Sequence, residues 1–143
     1  SYPGEYYIPI LKPKILISGL NPHSGERGEI GTEEVNYLIP IIKKLKNNIF
    51  IEGPISADSM LTKINLHKYD CFIFNFHDQA LIPFKFISNY EGINFTSGLS
   101  IIRVSPDHGT AIELLNRKNA KTTSLLNCFK FINKIYKNRN ENY

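Results

Sequence analysis

Lys14-Ile15-Leu16-Ile17-Ser18-Gly19, running on into Leu20-Asn21-Pro22-His23-Ser24-Gly25, is a short apolar segment that ends in a histidine-bearing loop. Its β-branched content and terminal glycine predict a buried strand over 14–19. A second apolar run, Asp70 to Phe76, closes on Phe76-His77-Asp78-Gln79. It reads as a strand covered on both faces. Each segment sets one histidine just past a strand, where open α/β sheets keep their ligand sites.

Outward from this pair the chain alternates between strand and helix patterns. Residues 1–13 are rich in Pro and Tyr and read as an irregular arm. After a loop holding Gly25, Gly28 and Gly31, Thr32 is placed to cap a helix that reaches about Lys46. Glu33 and Glu34 fall in its first turn, beside the positive end of the dipole, and Pro40 predicts a kink. A strand over Ile49 to Glu52 leads through Gly53-Pro54 to a short helix near Ala57 to Ile64. A helix or turn is expected from Asp78 to Ile87, then strands over 93–96 and 100–104 separated by Ser97-Gly98. Helices near 110–116 and from 122 to 137 complete the pattern. In the last, Leu125, Cys128, Phe129, Ile132 and Ile135 recur at helical spacing while Lys130, Lys134 and Lys137 lie mostly off that stripe. Strands alternating with helices imply an α/β fold, a parallel-rich mixed sheet flanked by helices. Neither an internal repeat nor a linker divides the sequence, so residues 1–143 read as a single α/β unit.

Composition narrows the function classes. With 42% hydrophobic and 21% charged residues, the chain is ordinary for a soluble globular protein. Its apolar runs fall far short of a membrane span, and no charged-then-apolar leader opens it, so the expectation is a cytoplasmic protein without membrane contact. Cys71 and Cys128 make no disulfide framework. The net charge of +4 is concentrated: seven Lys and Arg and no acid lie between Arg117 and Arg139, leaving ten bases against thirteen acids elsewhere. A solvated helix face accounts for that excess, and a nucleic-acid partner is not expected.

The chemistry-bearing residues fall into three groups. Neutral imidazole is the commonest metal ligand, so His23 and His77 read either as a metal pair or as satisfied loop histidines, with Asp78 as outer-shell partner or ligand. His67 has no such setting and reads as surface. Downstream, Lys85, Asn94 and Arg103 sit on or beside successive late elements. Arg103 closes the otherwise apolar run 99–104, where an arginine is costly unless paired. It serves either a phosphate, each charge-assisted bond being worth about 1.5–3 kcal/mol, or an internal salt bridge to Asp107 or Asp58. Asp107-His108-Gly109-Thr110-Ala111 opens a helix, where free N–H groups can receive phosphate or an adenine edge. The Gly25–Gly31 loop lacks both the Gly-Lys-Ser/Thr ending and the Gly-x-Gly-x-x-Gly spacing of the nucleotide motifs.

Taken in order, these segments resemble a known family. Asn21-Pro22-His23-Ser24-Gly25-Glu26, Gly28, Gly31-Thr32-Glu33-Glu34, Gly53-Pro54-x-x-Ala57-Asp58, His77-Asp78-Gln79, Lys85, Asn94, Arg103 and Asp107-His108-Gly109-Thr110-Ala111 together are similar to 4-hydroxythreonine-4-phosphate dehydrogenase of pyridoxal phosphate biosynthesis. The resemblance implies an isocitrate/isopropylmalate dehydrogenase-like fold. It also implies that His23 and His77 are metal ligands and that Lys85, Asn94 and Arg103 hold a phosphorylated substrate. Asp58 matches an acid near that site and, with Asp78, is implicated in proton handling. His108, Gly109 and Thr110 look like part of the cofactor loop, for NAD or NADP. The implied metal is divalent: zinc, magnesium, cobalt or manganese. The implied assembly is a homodimer with a shared active site.

Departures from the family pattern are equally specific. The family chain is roughly twice as long, and only its C-terminal half matches, so a third histidine ligand and a His-Thr pair contacting substrate are missing. Leu115-Asn116-Arg117-Lys118 stands where the family has an Ala-Gly-x-Gly run, and Gln79-Ala80 replaces Gln-Gly. The expected activity is oxidation and decarboxylation of 4-phosphohydroxy-L-threonine. The alternatives are a catalytically incomplete fragment, a stand-alone phosphate- or metal-binding module, or a relative acting on threonate or erythronate 4-phosphate.

Overall fold

The computed structural model describes residues 12–109 and 121–141. They gather into two compact units, one of the described residues up to Pro83 and one of those from Phe84 onward.

The first unit is built on three parallel strands in the order β2-β1-β3: β1 (Lys14–Ser18), β2 (Phe50–Ile55) and β3 (Cys71–Ile73). Ile15 of β1 stands opposite Ile51 on one side and Cys71 on the other, so β1 is the central strand. Successive side chains point to opposite faces. Leu16 therefore packs with Met60 and Tyr69, and Ile17 with Ile42 and Ile51. Ile42 comes from helix α1 (Ile39–Leu45), and Met60 and Tyr69 flank helix α2 (Lys63–Lys68). From β1 to β2 and from β2 back past β1 to β3 the two crossovers run in opposite directions along the sheet, and right-handed crossovers then put their helices on opposite faces.

Both-face coverage thus belongs to β1. The apolar run ending at Phe76 forms only the three-residue β3, an edge strand among the described residues, with Ile73 exposed. At Pro40, where the sequence predicts a kink, the helical run changes its winding. Proline cannot donate to the carbonyl four residues back, and the preceding Glu34–Leu38 is wound as a π-turn. Thr32 gives no side-chain cap to this helical run; Thr62 instead caps α2, its Oγ1 accepting the Asn65 N–H at 3.2 Å. Strand β2 runs further than its apolar residues suggest, through Gly53 and Pro54. A side chain at Gly53 would press on the Ile17 carbonyl, so only glycine fits there.

Helix α3 (His77–Ser88) contains Pro83, where the division between the units falls. In the second unit β4 (Ile93–Thr96) and β5 (Arg103–Pro106) form an antiparallel pair, packed on helix α4 (Thr123–Glu141). Phe95 meets Phe131 edge-on at 5.3 Å. At one end of α4 the Ser124 hydroxyl accepts the Asp107 N–H at 3.0 Å and donates to the Gly92 carbonyl. Asn127 donates to the Glu91 carbonyl at 2.8 Å. Near the other end Arg139 donates to the carbonyls of Ser100 and Leu99.

Two details differ from the periodicity reading. The buried face of α4 is Ser124, Cys128 and Ile135, whereas Leu125 and Phe129 are exposed. The second late strand begins at Arg103, so Ile101 and Ile102 precede it. The arm before residue 12 and the helix expected near 110–116 lie outside the described residues.

Candidate functional site at the carboxyl edge of the sheet

Because β1, β2 and β3 are parallel, their C-terminal ends share one edge. His23 leaves that edge after β1, Asp58 after β2 in the Ala57–Ser59 turn, and His77 after β3 as the first residue of α3. Three of the sequence-selected residues therefore rise from adjacent strand ends. Asn75 ties two of these exits together: its backbone N–H and its amide donate to the Ser18 Oγ and carbonyl at 3.1 and 2.6 Å.

The loop carrying His23 is held by a residue that sequence reasoning assigned another task. Glu34 is fully buried. One carboxylate oxygen accepts the N–H groups of Leu20 and Asn21 at 2.8 and 3.1 Å, and the other faces the Asn21 amide at 3.4 Å. Asn21 in turn donates to the Ile30 carbonyl at 2.8 Å, while its Oδ1 accepts the N–H groups of His23 and Gly25 at 2.9 and 3.1 Å. Glu34 is thus the anchor of the loop rather than a surface acid beside a helix dipole. Gly25, at φ +75°, is required twice over: its backbone is left-handed, and a Cβ would stand 2.8 Å from Glu34 Oε2. The backbone from Ser24 through Gly28 keeps positive φ, a conformation unlike a phosphate-binding loop that opens a helix.

Both imidazoles are oriented by acids. His23 Nδ1 lies 3.1 Å from Glu26 Oε1, and His77 Nδ1 lies 3.1 Å from Asp78 Oδ1. A carboxylate on Nδ1 fixes the ring and leaves Nε2 free, an arrangement that also occurs around metal-bound histidines. Both rings are largely exposed. The donor chemistry fits a divalent cation, yet no cluster of three or more His, Cys, Asp or Glu positioned to hold a metal occurs among the described residues. Asp58 is exposed. His67 lies exposed in the last turn of α2, as expected.

Lys85, Asn94 and Arg103, which the resemblance assigns to substrate, lie in the second unit. Asn94 stands opposite Ser105, and Thr96 opposite Arg103. By strand alternation these four polar residues share one face of the hairpin, while Phe95 on the other face packs on α4. Arg103 opens β5 and is exposed. The burial cost that would have demanded a partner does not arise, and neither Asp107 nor Asp58 pairs with it among the described ion pairs. Its Nη1 donates to Thr96 Oγ1 at 2.8 Å. Lys85 lies over the Tyr90 ring, 5.6 Å from its centroid. His108 and Gly109 are exposed, and a Cβ on Gly109 would meet no described residue within 4 Å. Thr110 and Ala111 lie outside the described residues. The cysteines are free thiols, and burial raises the pKa of both Cys71 and Cys128, keeping them protonated.

Comparison with known proteins agrees with the order of these segments. Residues 6–132 match the model of the pyridoxal phosphate biosynthetic protein PdxA. A 4-hydroxythreonine-4-phosphate dehydrogenase of Bradyrhizobium diazoefficiens is 44% identical over 118 residues, covering 82% of this chain and 34% of that protein. Its counterpart in Aquifex aeolicus is 43% identical over 123 residues, covering 85% of this chain and 38% of the relative. The crystal structure of the Klebsiella pneumoniae 4-hydroxythreonine-4-phosphate dehydrogenase superposes with a TM-score of 0.72 at 34% identity, over 88% of this chain and 38% of that one. The chain spans little more than a third of the length of the relatives it matches, less than the half expected. Its α/β architecture is that of the isocitrate dehydrogenase-like fold. With the family model matched over residues 6–132 and relatives more than 40% identical over most of the chain, the chain belongs to the PdxA family of pyridoxal phosphate biosynthetic proteins.

Proposed function

We propose that this chain is the C-terminal portion of a longer, two-domain NAD(P)-dependent 4-hydroxythreonine-4-phosphate dehydrogenase that works as a cytoplasmic homodimer. The observation that carries the reading is the exit of His23 and His77 from neighbouring parallel strands, each ring oriented by its own carboxylate. Exposed large apolar side chains support further burial in a larger assembly, Phe86 at 88% and Ile82 at 73% among them.

In this reading His23 and His77 hold a divalent cation through Nε2. The basic and amide groups of Lys85, Asn94 and Arg103 hold the phosphate and fix the carbon to be oxidised. His108, Gly109 and Thr110 receive the nicotinamide cofactor. The chemistry supplied by the bound groups is Lewis-acid polarisation of the substrate hydroxyl and acceptance of its hydride. A carboxylate oxygen of Asp58 or Asp78 takes up the hydroxyl proton. The product is a β-keto acid, which loses carbon dioxide to leave 3-amino-2-oxopropyl phosphate.

The third metal ligand is not found among the described residues, so the isolated chain is expected to bind without turning over. Calorimetric titration with 4-phosphohydroxy-L-threonine is expected to show binding that a divalent cation strengthens and that Arg103→Ala abolishes. Binding that ignores both cation and Arg103 would contradict the proposal. Metal-dependent NAD reduction by the chain alone would contradict its incompleteness.

A further inference from the structure

The hairpin of the second unit holds one polar contact that the proposed substrate trio leaves unexplained. Arg103 donates Nη1 to Thr96 Oγ1 at 2.8 Å, straight across the β4–β5 ladder. A guanidinium has five donors in a rigid fork. Thr96 takes one of them and leaves the remainder for an incoming anion. None of the described ion pairs commits the fork to a carboxylate. Directly opposed residues in a ladder hold their Cβ atoms about 4.5–5.5 Å apart, so a short hydroxyl is well matched to this reach. The Thr96 hydroxyl accepts from Arg103 and keeps its own proton, which it can donate to a further oxygen. Asn94 and Ser105, on the same face, extend the row of polar groups.

We propose that Thr96 is a positioning residue for the phosphate site: it fixes the rotamer and plane of the Arg103 fork before the anion arrives. The inference rests on the proposed role of Arg103 and deepens it. Arginine side chains otherwise lose considerable rotamer freedom on binding, so a preset fork binds more tightly. A β-branched residue is suited to the task, because its own χ1 is restricted.

The test uses the 143-residue chain, inorganic phosphate as the probe, and arginine-selective nitrogen NMR as the readout. In the wild type the Arg103 Nη1 protons are expected to be resolved and slowed in rotation without ligand. Thr96→Val, which keeps the shape but removes the hydroxyl, is expected to lose that signature and weaken phosphate binding about fivefold. Thr96→Ser should restore both to within about twofold, a rescue that a purely structural role for the residue would not produce. Arg103→Ala separates the two levels. If it abolishes binding while Thr96→Val leaves it intact, the positioning role is wrong and the anion site stands. If Arg103→Ala leaves binding intact, or the wild type fails to bind phosphate, the anion site itself is wrong and this inference falls with it.

Discussion

The sheet unit and the hairpin unit present their chemistry in opposite ways. In the first, His23 projects from a loop bolted to a buried carboxylate through Asn21, and Asn75 ties the two strand exits together. In the second, Asn94 and Arg103 take their places from strand register alone, on an exposed face, and one hydroxyl steadies the guanidinium. The lesson is that stability and binding should separate. Disturbing the first site costs fold as well as function, whereas the second can lose its ligand with its fold intact.

The largest effect is expected from Leu16→Ala in β1. It empties a position 2% exposed between Met60 and Tyr69, and should cost about 2–5 kcal/mol in denaturant unfolding. Glu34→Ala comes next. It orphans the N–H groups of Leu20 and Asn21 together, for a loss of about 2–3 kcal/mol and weaker zinc binding through His23. Ser124→Ala, which unlinks α4 from Gly92 and Asp107, should cost about 1–2 kcal/mol and leave the sheet unit's amide exchange unchanged. Arg103→Ala should sit within about 0.5 kcal/mol of wild type while losing phosphate. If instead it unfolds the hairpin, the contrast between the units breaks.

A pH experiment sharpens the picture of the sheet unit. The Tyr69 hydroxyl, and after it Lys68, hold the Glu52 carboxylate below its ordinary value. A group with a depressed folded pKa contributes stability above its unfolded pKa, here near 4.5, and loses it as pH falls through the folded value. Glu52→Gln should therefore lower stability near neutrality and flatten the acid limb below about pH 4.5, the two proteins converging at low pH.

The central strand, the hairpin's first strand and the terminal helix were legible because each is a local pattern: a β-branched run, four residues after a glycine, a helical stripe. What stayed hidden depended on distant partners. Glu34 is an ordinary helix-start acid by sequence, since its partners are backbone groups 13 and 14 residues away that carry no side-chain signal. Apolar composition made the run before His77 look doubly covered, but edge or centre is decided by pairing, and among the described residues only β1 has two neighbours in the parallel sheet. The stripe on α4 placed Cys128 and Ile135 correctly and misassigned Leu125 and Phe129, since periodicity gives a face but not its width. Among the site residues, strand-end histidines were visible from their spacing, while the shared face of Asn94 and Arg103 required the register.

The claim on which the account depends is that the imidazoles of His23 and His77 serve one divalent ion. Histidine-selective nitrogen NMR during a zinc titration of the 143-residue chain tests it directly. The account predicts that Nε2 of both rings shifts together, saturating at one zinc per pair, and that His23→Ala abolishes the response of His77. Independent titration of the two rings, or no response from either, would contradict it.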